Sequence, residues 1–173
     1  MDLKLKIRDI PDFPQKGIMF RDITTLLKDP EAFKHVIQKF KEYYQDKNID
    51  VIVGPESRGF IFGAVLAHEL GVSFVPIRKP GKLPYEVEHE EYMKEYGPDK
   101  IEIHKDAIEK GQRVLIVDDL LATGGTSIAA VKLIEKLGGE VAGLAFLIEL
   151  SFLKAKEKLK DYDTYSLIDY DSE

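Results

Sequence analysis

The feature that most constrains the fold is the stretch VLIVDDLLATGGT at residues 114–126. An apolar run from Val114 to Val117 ends in two adjacent carboxylates, Asp118 and Asp119. A short apolar run of this kind is typical of a buried strand in a parallel sheet. Paired glycines then precede an apolar-periodic helix, and such a turn directs free backbone N–H groups at one point. The segment therefore predicts a strand–loop–helix unit that binds an anion beside two carboxylates, at the carboxyl end of the strand.

Two familiar phosphate-binding motifs do not fit this segment. A Walker A loop is excluded because no Lys follows the glycines, and a dinucleotide fingerprint is excluded because the G-x-G-x-x-G spacing is absent. The remaining alternative is a strand–turn–helix corner with two capping acids. Adjacent carboxylates at a buried strand end are unfavourable without a cation or hydrogen-bond donors. We therefore favour a site for a phosphorylated sugar, in which the loop binds the phosphate and the acids meet hydroxyl groups or a metal.

Length and composition limit the class of protein. A chain of 173 residues fits a single domain, 1–173, and a net charge of −6 argues against binding nucleic acid or an anionic membrane through bulk charge. No apolar run approaches the roughly 20 residues of a membrane span, and the N-terminus lacks a signal-peptide core. With no Cys, disulfides and thiolate metal sites are excluded. We expect a cytoplasmic protein without a nucleic-acid or membrane partner.

The periodicity of apolar residues predicts an α/β fold with a mainly parallel twisted sheet flanked by helices. The predicted strands lie at residues 51–53, 72–77, 114–117, 141–148 and 165–168, and the predicted helices at 30–44, 59–70, 126–137 and 152–160. Asp29 is the predicted N-cap of the first of these helices, and Gly71 is predicted to end the second. Residues 1–28 are expected to form a small N-terminal hood. Residues 78–100 are rich in Pro, Gly and charge, which indicates either a long loop or a mobile flap of two weak strands.

Cations suited to phosphate occur in two further segments. Arg58 follows a predicted strand in GPESRGF at residues 54–60, and its guanidinium can donate two hydrogen bonds to a diphosphate. Arg78 and Lys82 lie on a Pro/Gly hinge in RKPGKLP, where cations form a suitable phosphate lid. Each segment is also compatible with solvated cations. Taken alone, Arg58 is better explained as a solvated cation. The basic loop fits a solvated loop and a phosphate lid equally well.

The hood and the flap each carry a weaker signal. Met19 and Phe20 follow a Gly turn and suit one wall of a slot for a flat base, with backbone groups of Phe20 and Arg21 contacting its edge. A plain strand and turn is the alternative there. The acidic stretch at residues 86–97 contains five Glu residues, and a solvated flap accounts for most of them.

Taken in order, these motifs resemble the type I phosphoribosyltransferases, and within them the adenine-specific enzymes, over nearly the whole chain from Ile10 to Leu167. The resemblance implies purine salvage, in which 5-phosphoribosyl-1-pyrophosphate (PRPP) and adenine give AMP and pyrophosphate. It also implies a homodimer, and Mg²⁺ bound with PRPP or pyrophosphate without a direct protein ligand, unless Asp118 and Asp119 contribute. Transfer to hypoxanthine, guanine or xanthine remains an alternative, because backbone contacts hide base selectivity from the sequence. A non-catalytic PRPP-binding regulator is the other alternative.

The resemblance also assigns roles to individual residues. The catalytic residues are Glu95, Arg58 and Lys82. The ribose and 5-phosphate ligands are Asp118, Asp119, Ala122, Thr123, Gly124, Gly125 and Thr126. The pyrophosphate ligands are Ser57, Arg58, Arg78 and Lys82. The base-binding residues are Met19, Phe20, Arg21 and Leu150. Composition does not choose among the five Glu residues, but the Glu-Tyr-Gly sequence matches the family at Glu95, and Tyr96 would gate or wall the site. Such loops can contain a non-proline cis peptide near residues 56–58, and the sequence does not decide whether this chain has one.

Overall fold

Five parallel strands form the central sheet of the computed structural model, which describes residues 1–94 and 97–173. In chain order the elements are β1 (Arg8–Ile10), β2 (Phe20–Asp22), α1 (Thr24–Leu27), α2 (Pro30–Tyr44), β3 (Val51–Pro55), α3 (Arg58–Leu70), β4 (Ser73–Ile77), β5 (Val87–Lys94), β6 (Gly97–His104), β7 (Arg113–Leu121), α4 (Gly125–Lys136), β8 (Glu140–Leu150), α5 (Ala155–Lys158) and β9 (Thr164–Tyr170). The strand order is β4-β3-β7-β8-β9, and every neighbouring pair is parallel. This confirms the predicted sheet.

The two faces of the sheet pack against different helices. Along β7, Leu115 and Val117 join the core that contains α2 and α3, whereas Val114 and Ile116 join the core that contains α4. Successive residues of a strand point to opposite faces, so a strand covered on both sides is apolar throughout. The apolar run at 114–117 therefore lies in a fully buried part of the sheet.

Local sequence signals set the helix ends. Asp29 caps α2 because its side chain accepts hydrogen bonds from the backbone N–H groups of Glu31 and Ala32, both at 3.1 Å, and Pro30 occupies the first helical position. Gly71 ends α3 with a φ of 68°, a left-handed conformation that favours glycine. Both helix boundaries agree with the sequence prediction to within a few residues.

Two small antiparallel sheets lie outside the central one. In the hood, β1 pairs with β2, and in the flap, β5 pairs with β6 so that Lys94 lies opposite Gly97. Glu95 and Tyr96 fall outside the described residues. The flap joins the edge of the central sheet through a bridge between Arg78 and Glu102. The predicted pair of weak strands is therefore a hairpin with eight residues in each arm.

Two predicted elements differ in the structure. The strand expected at 114–117 continues to Leu121, because β7 pairs with β8 beyond the acid pair. The helix expected at 152–160 is a 3₁₀ turn, Ser151–Leu153, followed by the single turn of α5. Lys154 separates the two with a φ of 57°, which an α-helix cannot accommodate. Among the described helices, none has the length and apolar character that crossing a membrane requires.

Candidate active site

A cavity of about 440 Å³ opens at the carboxyl ends of β3 and β7. Ligands bind at this edge in open α/β sheets, because the loops that follow the strands meet there. Its walls are formed by residues of the loops after β3 and β7, the end of β4 and the flap: Pro55, Glu56, Ser57, Arg58, Ile77, Lys79, Tyr92, Lys94, Ile101, Asp118, Asp119, Leu120, Ala122, Thr123, Gly124, Gly125, Thr126 and Ser127. All the residues predicted to contact ribose and 5-phosphate are among them.

The loop after β7 provides a helix N-terminus. Gly124 caps α4 with a φ of 86°, and α4 begins at Gly125 and runs for twelve residues. The unpaired backbone N–H groups and the helix dipole make such an end favourable for an anion. A methyl group added at Gly125 would lie 3.2 Å from the Tyr92 ring, so the flap packs directly on this loop. The predicted phosphate loop therefore has the expected geometry, and the flap forms its second wall.

The two adjacent acids have different electrostatic surroundings. Asp119 is 5% exposed, and its carboxylate accepts a hydrogen bond from Arg58 Nε at 2.5 Å. Asp118 accepts a hydrogen bond from the backbone N–H of Asp119 at 2.8 Å. Burial raises the pKa of Asp118 well above its usual range, and the neighbouring charge of Asp119 raises it further. Asp119 is thus neutralised by Arg58, whereas Asp118 can accept a hydrogen bond from a ligand or bind a metal.

The loop after β3 brings Arg58 to the acid pair. Its Glu56–Ser57 peptide is cis, and Ser57 precedes the first turn of α3, in which Arg58 is the first residue. A methyl group added at Gly59 would lie 2.9 Å from the carbonyl oxygen of Val117 and 3.1 Å from Asp118 Oδ1. Only glycine allows α3 to approach β7 this closely. The sequence analysis does not predict this contact.

The basic loop after β4 is held by Glu56. The Glu56 carboxylate accepts a hydrogen bond from the backbone N–H of Lys79 at 2.6 Å, and Arg78 Nε and Lys82 Nζ lie 3.3 and 3.7 Å from its oxygens. The backbone hydrogen bond and the nearby cations lower the pKa of Glu56. Neither Arg78 nor Lys82 is among the described residues that line the cavity. Their contact with pyrophosphate stays a prediction.

Two cations that are not among the predicted site residues line the cavity. Lys79 and Lys94 both form ion pairs with Asp99 of the flap. Ile77 and Lys79 lie in the same wall, which follows from the period of two along an extended chain. If the alternation of β4 is continued past Ile77, Lys79 rather than its neighbour Arg78 is expected to face the cavity.

The predicted base-side residues lie apart from the cavity walls described above. Arg21 places its guanidinium 3.9 Å from the centre of the Tyr170 ring, and Tyr170 is paired with Leu150 between β9 and β8. The Phe20 ring instead packs edge-on against Phe13, with centres 5.1 Å apart. Arg21 and Leu150 are therefore both neighbours of Tyr170. The role of these side chains and of half-buried Met19 in base binding stays a prediction.

Comparisons with known proteins identify the family. The family model for the phosphoribosyl transferase domain matches residues 22–172. An adenine phosphoribosyltransferase of Thermotoga petrophila is 61% identical over 98% of this chain and all of its own length. The crystal structure of adenine phosphoribosyltransferase from Thermoanaerobacter pseudethanolicus has a TM-score of 0.95 at 56% identity, covering 98% of both chains. The Saccharomyces cerevisiae enzyme, solved with an imino-altritol bisphosphate and adenine, has a TM-score of 0.90 at 45% identity, covering 95% of this chain and 96% of its own. The chain therefore belongs to the phosphoribosyltransferase family and, within it, to the adenine phosphoribosyltransferases.

Proposed function

We propose that this chain transfers the phosphoribosyl group of PRPP to adenine in purine salvage, using the cavity at the ends of β3 and β7. The observation that carries the proposal is one wall that combines a helix N-terminus, at Gly125, with the acids Asp118 and Asp119. A sugar phosphate requires this combination of anion site and hydroxyl acceptors. Adenine is favoured over other purines because the close relatives are adenine phosphoribosyltransferases and the yeast structure contains adenine.

The reaction breaks the anomeric C–O bond of PRPP while a nitrogen of adenine forms a bond to the same carbon. Positive charge develops on the ribose, and negative charge accumulates on the departing pyrophosphate. Asp118 accepts hydrogen bonds from the ribose hydroxyls, and the loop at 122–126 binds the 5-phosphate. Arg58 and Ser57 lie in the cavity wall next to the acid pair, where donors stabilise the leaving group. Fixing the sugar between these groups brings its carbon to the base.

The residues of the cavity fit a magnesium ion that arrives with PRPP. Mg²⁺ is commonly bound by one or two carboxylates together with substrate oxygens, and Asp118 and Asp119 supply two carboxylates in the cavity wall. Within the described chain, no cluster of three or more His, Asp or Glu side chains could bind the ion alone. When bound, the ion would neutralise charge on the pyrophosphate.

Glu95 is proposed as the group that exchanges a proton with the base. It lies outside the described residues, but its neighbour Lys94 lines the cavity, and the flap covers the phosphate loop. A carboxyl group on such an element suits this role, because burial beneath a bound substrate raises its pKa toward neutrality. Tyr96 is proposed to shield the site from water. Lys82 and Arg78 are proposed to reach pyrophosphate from the basic loop.

Assembly and location complete the proposal. We infer a homodimer, because Ile61 and Val65 lie one helical turn apart on α3 and each leaves 36% of its surface exposed. A cytoplasmic location is supported by the absence of Cys from the sequence, which removes any need for an oxidising compartment.

Glu95→Gln tests the proposal against both alternatives. We expect turnover with adenine, PRPP and Mg²⁺ to fall by about 10²–10⁴, the usual contribution of a positioned acid–base group, while PRPP affinity holds. Glu91→Gln is the matched control, since Glu91 is exposed on β5, and it should be nearly silent. Assaying hypoxanthine, guanine and xanthine beside adenine decides base selectivity. The proposal is wrong if the parent forms no AMP, or if Glu91→Gln is the variant that fails.

A further inference from the structure

The flap contains a cluster of charges that faces the cavity. Asp99 Oδ2 is paired with both Lys79 Nζ and Lys94 Nζ, and it accepts a hydrogen bond from the Tyr92 hydroxyl at 3.1 Å. Lys79 Nζ also donates to the Tyr92 hydroxyl at 3.3 Å. The other oxygen, Oδ1, accepts a backbone hydrogen bond from Lys100 at 2.8 Å. One carboxylate therefore fixes two lysines and a tyrosine from three separate positions of the chain.

The position of the carboxylate relative to the cavity decides what the cluster can do. Lys79, Lys94 and Tyr92 form part of the cavity wall, whereas Asp99 does not. An ammonium group has three N–H donors, and Lys79 uses two of them on Asp99 and Tyr92, so a lysine paired with Asp99 retains at least one donor for a ligand in the cavity. The contacts lower the pKa of Asp99, and the carboxylate is therefore ionised at neutral pH.

Resting on the proposed function, we propose that Asp99 is a positioning residue that holds Lys79 and Lys94 as a two-cation clamp on the phosphoryl oxygens of PRPP. Long lysine side chains lose considerable rotamer freedom when a ligand fixes them. Pairing both with Asp99 before PRPP arrives removes that loss from the binding step. Register fixes the geometry, because Tyr92 and Asp99 are directly paired between β5 and β6.

The phosphoryl group in the clamp is either the pyrophosphate or the 5-phosphate. Lys94 lines the main cavity and also a groove of about 290 Å³ beside Thr123 and Gly125 of the phosphate loop. Lys79 lies next to Glu56 of the pyrophosphate-side loop. Calorimetry with magnesium pyrophosphate and, separately, with ribose 5-phosphate distinguishes the two, since only the group inside the clamp loses affinity when the clamp is loosened.

The test compares Asp99→Asn with Asp99→Glu and with a matched control. Asp99→Asn should raise the KM for PRPP about tenfold, the cost of ordering two lysines on binding, and leave the KM for adenine unchanged. Asp99→Glu retains the carboxylate and should recover most of the loss. The control is Asp163→Asn, because Asp163 also binds a lysine and a tyrosine hydroxyl, those of Lys47 and Tyr43, but precedes β9 at the opposite end of the sheet.

The outcomes separate the clamp from a structural role and from the proposed function. Asp99→Asn should cost less in a Lys94→Met background than in the parent, because only Lys79 is then left for the carboxylate to position. An active parent whose Asp99→Asn variant binds PRPP equally or more tightly would overturn the inference, as would equal losses in Asp99→Asn and Asp99→Glu. A parent that forms no AMP would instead refute the proposed function. Thermal unfolding of each variant confirms that the compared proteins are folded.

Discussion

Replacing Asp118 by Asn should stabilise the ligand-free protein while weakening its binding of PRPP. Asp118 is a half-buried carboxyl beside a second carboxylate, and Arg58 forms its ion pair with Asp119 rather than with Asp118. Asparagine has nearly the same shape and removes the charge. Its side-chain oxygen can still accept the hydrogen bond that the backbone N–H of Asp119 donates at 2.8 Å. The substitution therefore removes an electrostatic penalty without leaving a buried donor unpaired.

The expected gain in stability follows from replacing the charged Asp118 carboxylate by a neutral amide. A single stabilising substitution commonly raises the free energy of unfolding by about 0.5–2 kcal/mol. For a chain of this size, each kcal/mol moves the unfolding midpoint by about 2–4 °C. We therefore expect Asp118→Asn to melt about 4 °C above the parent without ligand. With PRPP and Mg²⁺ the order should reverse, because only the parent gains the full stabilisation that a bound ligand supplies.

The dependence on pH provides a sharper test. The pKa of Asp118 is raised above the ordinary value of 3.8, so above pH 3.8 the folded parent retains a proton that the unfolded chain has lost. The stability contributed by Asp118 therefore falls as pH rises from 3.8 through its folded pKa. Asn does not titrate. The advantage of Asp118→Asn should be small near pH 4, grow with rising pH, and level off above the folded pKa.

Urea denaturation of parent, Asp118→Asn and Asp119→Asn at several pH values measures this difference. Asp119→Asn is the matched control, since it removes the partner of Arg58 and should destabilise the protein at neutral pH. A constant difference between Asp118→Asn and the parent across the pH range would refute the assigned cause. An Asp118→Asn variant less stable than the parent at pH 7 would show that the carboxylate is compensated within the protein.

Two further predictions concern packing and assembly. Gly59→Ala places a methyl group 2.9 Å from the carbonyl oxygen of Val117, so we expect a loss of about 1–3 kcal/mol in thermal unfolding and weaker PRPP binding; unchanged stability would contradict this close approach. We also expect the parent to sediment as a dimer at micromolar concentration and the double substitution Ile61→Glu with Val65→Glu to be monomeric. Lys132→Glu is the control for added charge, and a monomeric parent would contradict the proposed interface.

The parts of the site that the sequence predicts depend on neighbours along the chain. The unit from Val114 through the helix after Thr126 combines an apolar run, a glycine pair and a new periodicity, and each is a local signal. The caps at Asp29 and Gly71 are equally local. This is why the sheet, the helices α2, α3 and α4 and the strand–loop–helix form of residues 114–137 agree with the prediction, whereas phosphate binding by the loop stays a prediction.

The parts that the sequence misses depend on contacts between distant segments. Whether Lys79 or its neighbour Arg78 faces the cavity is fixed by the pairing of Arg78 with Glu102 across the edge of the sheet. The cluster around Asp99 needs the register of β5 against β6. The helix expected at 152–160 is interrupted at Lys154, and the chain then packs Ala155 against Gly124, where an added methyl group would lie only 3.2 Å from its Cβ. Strand alternation beyond Ile77 favours Lys79, but no local pattern reports the cluster around Asp99 or the interruption at Lys154.

The cations of the cavity are held in place by the protein's own carboxylates. Lys79 and Lys94 are already paired with Asp99, and Arg58 is paired with Asp119, so these cations are ordered before PRPP arrives. Each retains donors for phosphate, and binding therefore adds contacts without first ordering the side chains. Asp118 differs, because the protein supplies it with no ion pair of its own among the described residues. Hydroxyl donors or a metal at the site would relieve the desolvation that raises its pKa, which links the stability of this acid to occupancy of the site.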